Sequence, residues 1–374
     1  MQIEDFALER IQSLYENLVE INLSDSGVHP YSLNSLLTPE ERAGILDVEL
    51  GYGWTNGSVA LRETLAGLYA GRTIDNVLVT NGSAEAIFVL GMTLLAPGDE
   101  LIVITPNYLQ LWGWARAMGV TTVAVPLREE LGWAPDLDEL AAAVTPRTRM
   151  ISVCHPNNPT GSVLTPAQMD GIVALARQHG LWLHADEVYR GTEFSGTESA
   201  SFADRYERAV VTSGLSKAYA LPGLRIGWIV GPAAEIATAW ARKDYTSITT
   251  GALSEAVATL ALQPKRRAAI LERSRRMLGD NLDVVDGWIR SHGDLLSYTR
   301  PAATGTVFVR YDLPVNSTDL VHRIREEQSV LLVPGDVFGL DGYLRLGTGP
   351  ETATIRAGLE RLDRFFASAL VGQR

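Results

Sequence analysis

The chain is poor in cysteine, in positive charge and in long apolar runs. A single cysteine, Cys154, in 374 residues excludes an internal disulfide and fits a reducing compartment. It lies in the apolar run 150–154, where a thiol reads as a small buried hydrophobe. Lys and Arg number 32 against 44 Asp and Glu, a net charge of -12 with no basic stripe. That balance argues against nucleic acid, because polyanionic partners need clustered cations to neutralise phosphates. No stretch reaches the roughly 18 consecutive apolar residues of a membrane span. The opening residues 1–5 also lack the basic and apolar regions of a signal peptide. The expectation is a soluble cytoplasmic protein with no membrane partner. No internal repeat, low-complexity tract or linker stands out, and no metal site is expected.

What is present is an ordinary globular composition, 46% hydrophobic and 20% charged. The length suits one large α/β domain plus a smaller one. Short, nearly continuous apolar runs at 77–80, 101–104, 122–127, 150–154, 181–185, 209–211 and 226–230 alternate with helical patterns. This predicts seven strands in a mostly parallel sheet covered on both faces. The large domain is expected over residues 46–250. Residues 1–45 form an N-terminal arm, with a short amphipathic helix over 6–19 and a Gly- and Pro-containing loop over 23–31. Residues 251–374 begin with a long helix and form a small α+β unit, with apolar segments at 305–309, 330–339 and 343–347.

The most informative stretch is 213–228, SGLSKAYALPGLRIGW. Lys217 sits just past an apolar run, among small residues that let backbone approach a ligand, and Arg225 follows eight positions later. A Schiff-base lysine with a phosphate-binding arginine has this pattern, and so does a turn carrying a solvated lysine. Two further segments, HPNNPTG at 155–161 and DEVYR at 186–190, each follow an apolar run. In order and approximate spacing the three segments resemble fold-type I pyridoxal-phosphate enzymes. Over most of its length the chain is similar to the class I/II aminotransferase family.

The resemblance implies an α/β fold of the type I PLP-dependent transferases, with pyridoxal 5'-phosphate as cofactor. Lys217 would carry the cofactor and then act as base at the substrate Cα. That role calls for a depressed pKa, which partial desolvation and Arg225 would favour. Asp186 would pair with the pyridine nitrogen, Asn158 and Tyr189 with the ring hydroxyl oxygen, and Tyr108 would stack on the ring. Ser83, the Ala84 amide, Ser216 and Arg225 would bind the phosphate. A strand, a glycine turn and a helix N-terminus at 76–87 suit that anion on physical grounds, although such turns also occur without a ligand. Tyr52 would reach the phosphate of a neighbouring subunit, which implies a homodimer. Gly27 and Arg345 would receive the substrate carboxylate, the arginine through two parallel hydrogen bonds, and Asn158 would also contact the substrate. His29 is either a proton shuttle or a surface loop histidine. Trp112 and Trp114 are either core or substrate wall. One departure is Gly214, where the family usually places a phosphate-binding Ser or Thr; Ser213 or a backbone amide could serve instead.

The resemblance implies a reaction on an L-amino acid through an external aldimine and a quinonoid. The expected outcome is transamination with a 2-oxo acid. Looser similarity to the capreomycidine synthase branch leaves open a cyclase or an elimination or replacement enzyme of antibiotic biosynthesis. A non-catalytic PLP-binding regulator is the remote alternative, disfavoured because Lys217, Asp186 and Arg225 are all intact.

Overall fold

The computed structural model describes residues 2–371. Seven strands form the main sheet: β1 (Val77–Asn81), β2 (Glu100–Thr105), β3 (Thr121–Arg128), β4 (Thr148–Cys154), β5 (Trp182–Asp186), β6 (Ala209–Gly214) and β7 (Ile226–Val230). Their order is β1-β7-β6-β5-β4-β2-β3. Pairs within β6-β5-β4-β2-β3 are parallel, and β7 runs antiparallel to both its neighbours. A two-residue strand, Ala134–Pro135, adds antiparallel to the end of β3. Two residues carry no periodic signal, so the seven-strand reading does not include it.

The near-continuous apolar runs follow from burial on both faces. Val79, Ile102, Ile151, Leu183 and Val211 point into one core, while Leu78, Leu101, Met150, Trp182 and Val210 point into another on the opposite face. The helix Gly82–Leu94 covers the second face through Ala86, Val89 and Leu90. Strand β6 runs three residues beyond its apolar core, because Gly214 still pairs with Gly227 of β7.

The second unit carries β8 (Leu296–Tyr298), β9 (Thr306–Tyr311), β10 (Val333–Pro334) and β11 (Tyr343–Gly347), an antiparallel sheet in the order β8-β9-β11-β10. Helices Pro264–Ser291, Ser317–Gln328 and Thr352–Val371 accompany it and share a separate apolar core. The start of the chain belongs to this core. Ile21–Asn22 pairs in parallel with Val330–Leu331, and Leu23 is fully buried there. Residues 24–27 therefore leave the small unit pointed at the ends of β5 and β6. The helix before them runs from Ala7 to Tyr15, shorter at both ends than the sequence pattern suggests.

Candidate active site

Parallel sheets present ligands at the carboxyl ends of their strands. Here Ser83 and Ala84 follow β1, Tyr108 follows β2, Asn158 follows β4, Asp186 ends β5, and Ser216 and Lys217 follow β6. They meet Tyr189, Arg225 and, from β11, Arg345 around one cavity of about 370 Å³.

One end of the cavity is an anion cup. Gly82 adopts φ of +79° to turn the chain from β1 into its helix, which leaves the amides of the first helical turn unpaired within the helix. A Cβ at Gly82 would run into the Arg225 guanidinium, and one at Gly227 would run into the Gly82–Ser83 backbone. Arg225 itself adopts φ of +52° and donates from Nη1 to the Pro222 carbonyl (3.1 Å) and the Ser216 hydroxyl (3.4 Å). A Cβ at Gly214 would stand 3.1 Å from the Ile226 carbonyl oxygen, a tight contact that a side chain here would accommodate only by a small shift of that backbone. Ser213 does not replace the missing hydroxyl, because its Oγ donates to the Glu187 carbonyl at 3.2 Å in the buried interior.

At the centre Lys217 Nζ lies 3.2 Å from Asp25 Oδ1, which also accepts the Gly27 amide at 2.9 Å. Burial pushes the lysine pKa down, but Asp25 and the Tyr189 hydroxyl together outweigh it and the net shift is upward. The depression expected from the sequence is thus reversed, and the strongest opposing influence is Asp25, a carboxylate that no motif announced. Lys217 holds the Asp25 carboxyl down at about 2. Asp186 has the contrary environment. It is buried, its carboxylate accepts a hydrogen bond among the described residues from the Val188 amide alone, at 3.3 Å, and burial lifts it to about 7. Two residues earlier on the same face, the His184 ring bridges Ser152 Oγ (2.8 Å) and Thr212 Oγ1 (3.0 Å), tying β4, β5 and β6 together beneath Asp186. Burial keeps that imidazole neutral, at about 3.

Arg345 is 1% exposed. It donates from Nη1 to Asn158 Oδ1 at 3.0 Å and from Nη2 to the Ser24 carbonyl, while its Nε has no partner among the described residues. The Tyr189 hydroxyl donates to Ser26 Oγ at 2.8 Å, and burial raises its pKa to about 12. The Tyr108 hydroxyl donates to Glu9 Oε1 at 2.8 Å, and Phe6 packs edge-on against its ring.

Other candidates lie elsewhere. Gly27 sits behind the cavity, its amide taken by Asp25. His29 is on the surface, 3.6 Å from Glu351. Tyr52 is 89% exposed and Trp54 is exposed beside it. Trp114 is buried against Gly91, and Trp112 borders a separate apolar pocket. The cavity also contains Glu9, Gln12, Ser13, Glu16 and Asp25, none of them singled out by a motif. The first four fall at i, i+3, i+4 and i+7, one face of a helix, and that spacing was the available signal.

The family model for aminotransferase class I and II matches residues 21–362. Capreomycidine synthase of Streptomyces vinaceus is 30% identical over 100% of this chain and 95% of its own length. A PLP-dependent aminotransferase from Streptococcus suis superposes with a TM-score of 0.92 at 34% identity, covering 98% of this chain and 99% of its own. The PLP-dependent cyclase OrfR superposes with a TM-score of 0.90 at 28% identity, covering 99% and 98%. The cavity fits pyridoxal phosphate: side-chain-free glycines and Arg225 make the anion cup, a buried carboxylate stands at Asp186, and Lys217 is the lysine on its wall. Sequence, fold and cavity chemistry agree that the chain belongs to the class I and II aminotransferases.

Proposed function

We propose that this enzyme transfers the amino group of an L-amino acid to a 2-oxo acid, and that it does so as a homodimer with shared active sites. The observation that carries the reading is the convergence of Lys217, Asp186 and Arg345 from three separate parts of the chain on one cavity. The bound cofactor supplies an electron sink for the bond broken at Cα. Each remaining role falls to a named side chain. Ser83, the Ala84 amide, Ser216 and Arg225 hold the phosphate. Asp186 regains its charge when a protonated ring nitrogen comes beside it, since an opposite charge favours the ionised carboxylate. Asn158 and Tyr189 would donate to the ring oxygen, and Tyr108 would cover the ring.

Arg345 carries a charge that burial disfavours, together with an Nε–H lacking an acceptor. A substrate carboxylate offers both the countercharge and the acceptors. Lys217, once neutral, is the amine positioned to take and return the proton at Cα.

Support for the dimer comes from exposed apolar side chains: Leu46, Leu50 and Tyr52 are 87%, 80% and 89% exposed, and Tyr245 is 84% exposed. Patches of this kind mark protein–protein contacts. The Tyr52 neighbourhood is tied to the anion cup, because Thr249 Oγ1 donates to the Trp54 carbonyl and Asn81 Nδ2 donates to Ser247 Oγ. This supports Tyr52 serving the site of a second copy.

The test is a single turnover of the holoenzyme without acceptor. Transamination gives stoichiometric conversion of the cofactor to its amine form with release of a 2-oxo acid. Return of the starting absorbance with loss of water or ammonia instead assigns the enzyme to cyclisation or elimination.

A further inference from the structure

Once each charged group lining the cavity is matched to its role, a surplus of one sign is left. Arg225 goes to the phosphate, Arg345 to the α-carboxylate, Asp186 to the ring nitrogen and Lys217 to the cofactor. Glu9, Glu16 and Asp25 have no such role, yet all three line the cavity. Two of them come from the N-terminal helix and its C-cap, on the same face as Gln12 and Ser13. The flank of that helix buries Leu8, which also lines the cavity, and packs Ile11 and Tyr15 on the cores, while Arg10 and Leu14 on the far side are exposed, so the polar stripe faces inward.

We infer that the side chain of the substrate is cationic: Glu9, Glu16 and Asp25 together receive the ammonium or guanidinium of a basic L-amino acid. The inference rests on the aminotransferase reading and deepens it. Among the described residues, the Glu16 carboxylate makes neither a hydrogen bond nor an ion pair. Burial, Asp25 and Glu9 all raise its pKa, while Lys217 opposes them, as expected of a carboxylate short of countercharge. Asp25 has Lys217 as its partner in the free protein, and that lysine is the group committed to the cofactor. An independent mark of a ligand is in the same cavity: Arg345, 1% exposed, presents an Nε–H without an acceptor. A basic amino acid satisfies both ends, its carboxylate on Arg345 and its side-chain cation on the three acids. An acidic substrate would place a fourth charge of the same sign among Glu9, Glu16 and Asp25.

The experiment uses the holoenzyme, rapid mixing and the cofactor absorbance to obtain Kd and transfer rate for L-lysine, L-arginine, L-norleucine and L-aspartate. Norleucine keeps the lysine stem without its charge. The expected order is lysine and arginine tightest, norleucine about tenfold weaker for loss of a charge-assisted contact, and aspartate weakest. Glu16→Gln and Glu9→Gln are each expected to shrink the lysine-over-norleucine preference several-fold. Rising salt should weaken wild-type binding of lysine more than that of norleucine, which shares only the carboxylate contact. This last arm needs no variant to fold. Equal or better binding of norleucine or aspartate, a preference untouched by both Gln variants, or an identical salt response for lysine and norleucine overturns the inference. A chain that takes up no cofactor overturns the underlying reading with it. A chain that takes up cofactor and transaminates aspartate in preference to lysine and arginine overturns this inference alone.

Discussion

Replacing Asp25 by Asn removes the charge that opposes deprotonation of Lys217, and its consequence can be sized from the structure. The two groups stand 3.2 Å apart, with side-chain accessibilities of 29% for Lys217 and 53% for Asp25. Coulomb attraction at that distance is about 5 kcal/mol at an effective dielectric of about 20 and about 1.3 kcal/mol in a water-like medium. With Asp25 half accessible, the lower figure applies. About 1.3 kcal/mol is roughly a tenfold change in the share of neutral amine at a pH below the lysine pKa. The neutral amine is the form that attacks the cofactor aldehyde. Reconstitution of Asp25→Asn apoprotein with pyridoxal phosphate at neutral pH, followed by stopped-flow absorbance, is therefore expected to run about tenfold faster than wild type. The amide keeps an oxygen for the Gly27 N–H, so the loop keeps its 2.9 Å hydrogen bond. The same pair contributes to stability. Asp25 is lowered from 3.8 to about 2, so its share is present above 3.8 and is lost as pH falls towards 2. Lys217 is raised above 10.5, so its share is present below 10.5 and is lost as pH rises past it. Wild type should thus exceed the variant in stability across the middle of the pH range and converge with it at both ends. An unchanged or slower reconstitution rate in a folded variant would refute the reasoning.

Further expectations follow from the same geometry. Arg345→Lys keeps a charge but loses the planar fork, and should lower kcat/KM by about 30-fold or more, roughly 2 kcal/mol for a charge-assisted pair, as steady-state kinetics would show. Asp186 is raised to about 7, so the native apoprotein binds a proton there that the unfolded chain releases above 3.8; its contribution to apoprotein stability falls as pH rises from about 4 to about 7. Asp186→Asn abolishes that penalty, so its melting temperature should gain on wild type between pH 5 and pH 8 in the absence of cofactor, while holoenzyme activity is lost. Leu46→Asp combined with Leu50→Asp should shift sedimentation to the monomer and weaken cofactor affinity, since Tyr52 is then denied its place in a second copy.

The seven long strands were legible because each is buried on both faces and so reads as an unbroken apolar run. The pair Ala134–Pro135 and the short β10 have too few residues to show a period. The residues at the strand ends were legible as motifs because sharp turns such as Gly82 constrain the local sequence. The polar face of the first helix was not. Glu9, Gln12 and Glu16 look like a solvated stripe until the fold turns it inward, and only the pairing of Ile21 with Val330 shows why Asp25 arrives beside Lys217. Long-range placement of this kind also reversed the direction expected for the lysine pKa. A local reading counted Arg225 eight positions away and could not count a carboxylate 192 positions away.

The chain contains three lysines, Lys217, Lys243 and Lys265. Lys243 Nζ is engaged by the carbonyls of Thr55 (2.7 Å) and Ile248 (2.8 Å), and Lys265 lies on the exposed side of a helix. Borohydride reduction of the holoprotein, which fixes the cofactor on the amine that holds it, followed by peptide mapping, therefore discriminates among three sites. The account predicts the label on Lys217 alone; a label on Lys243 or Lys265, or no label in protein that carries the cofactor's absorbance, contradicts it.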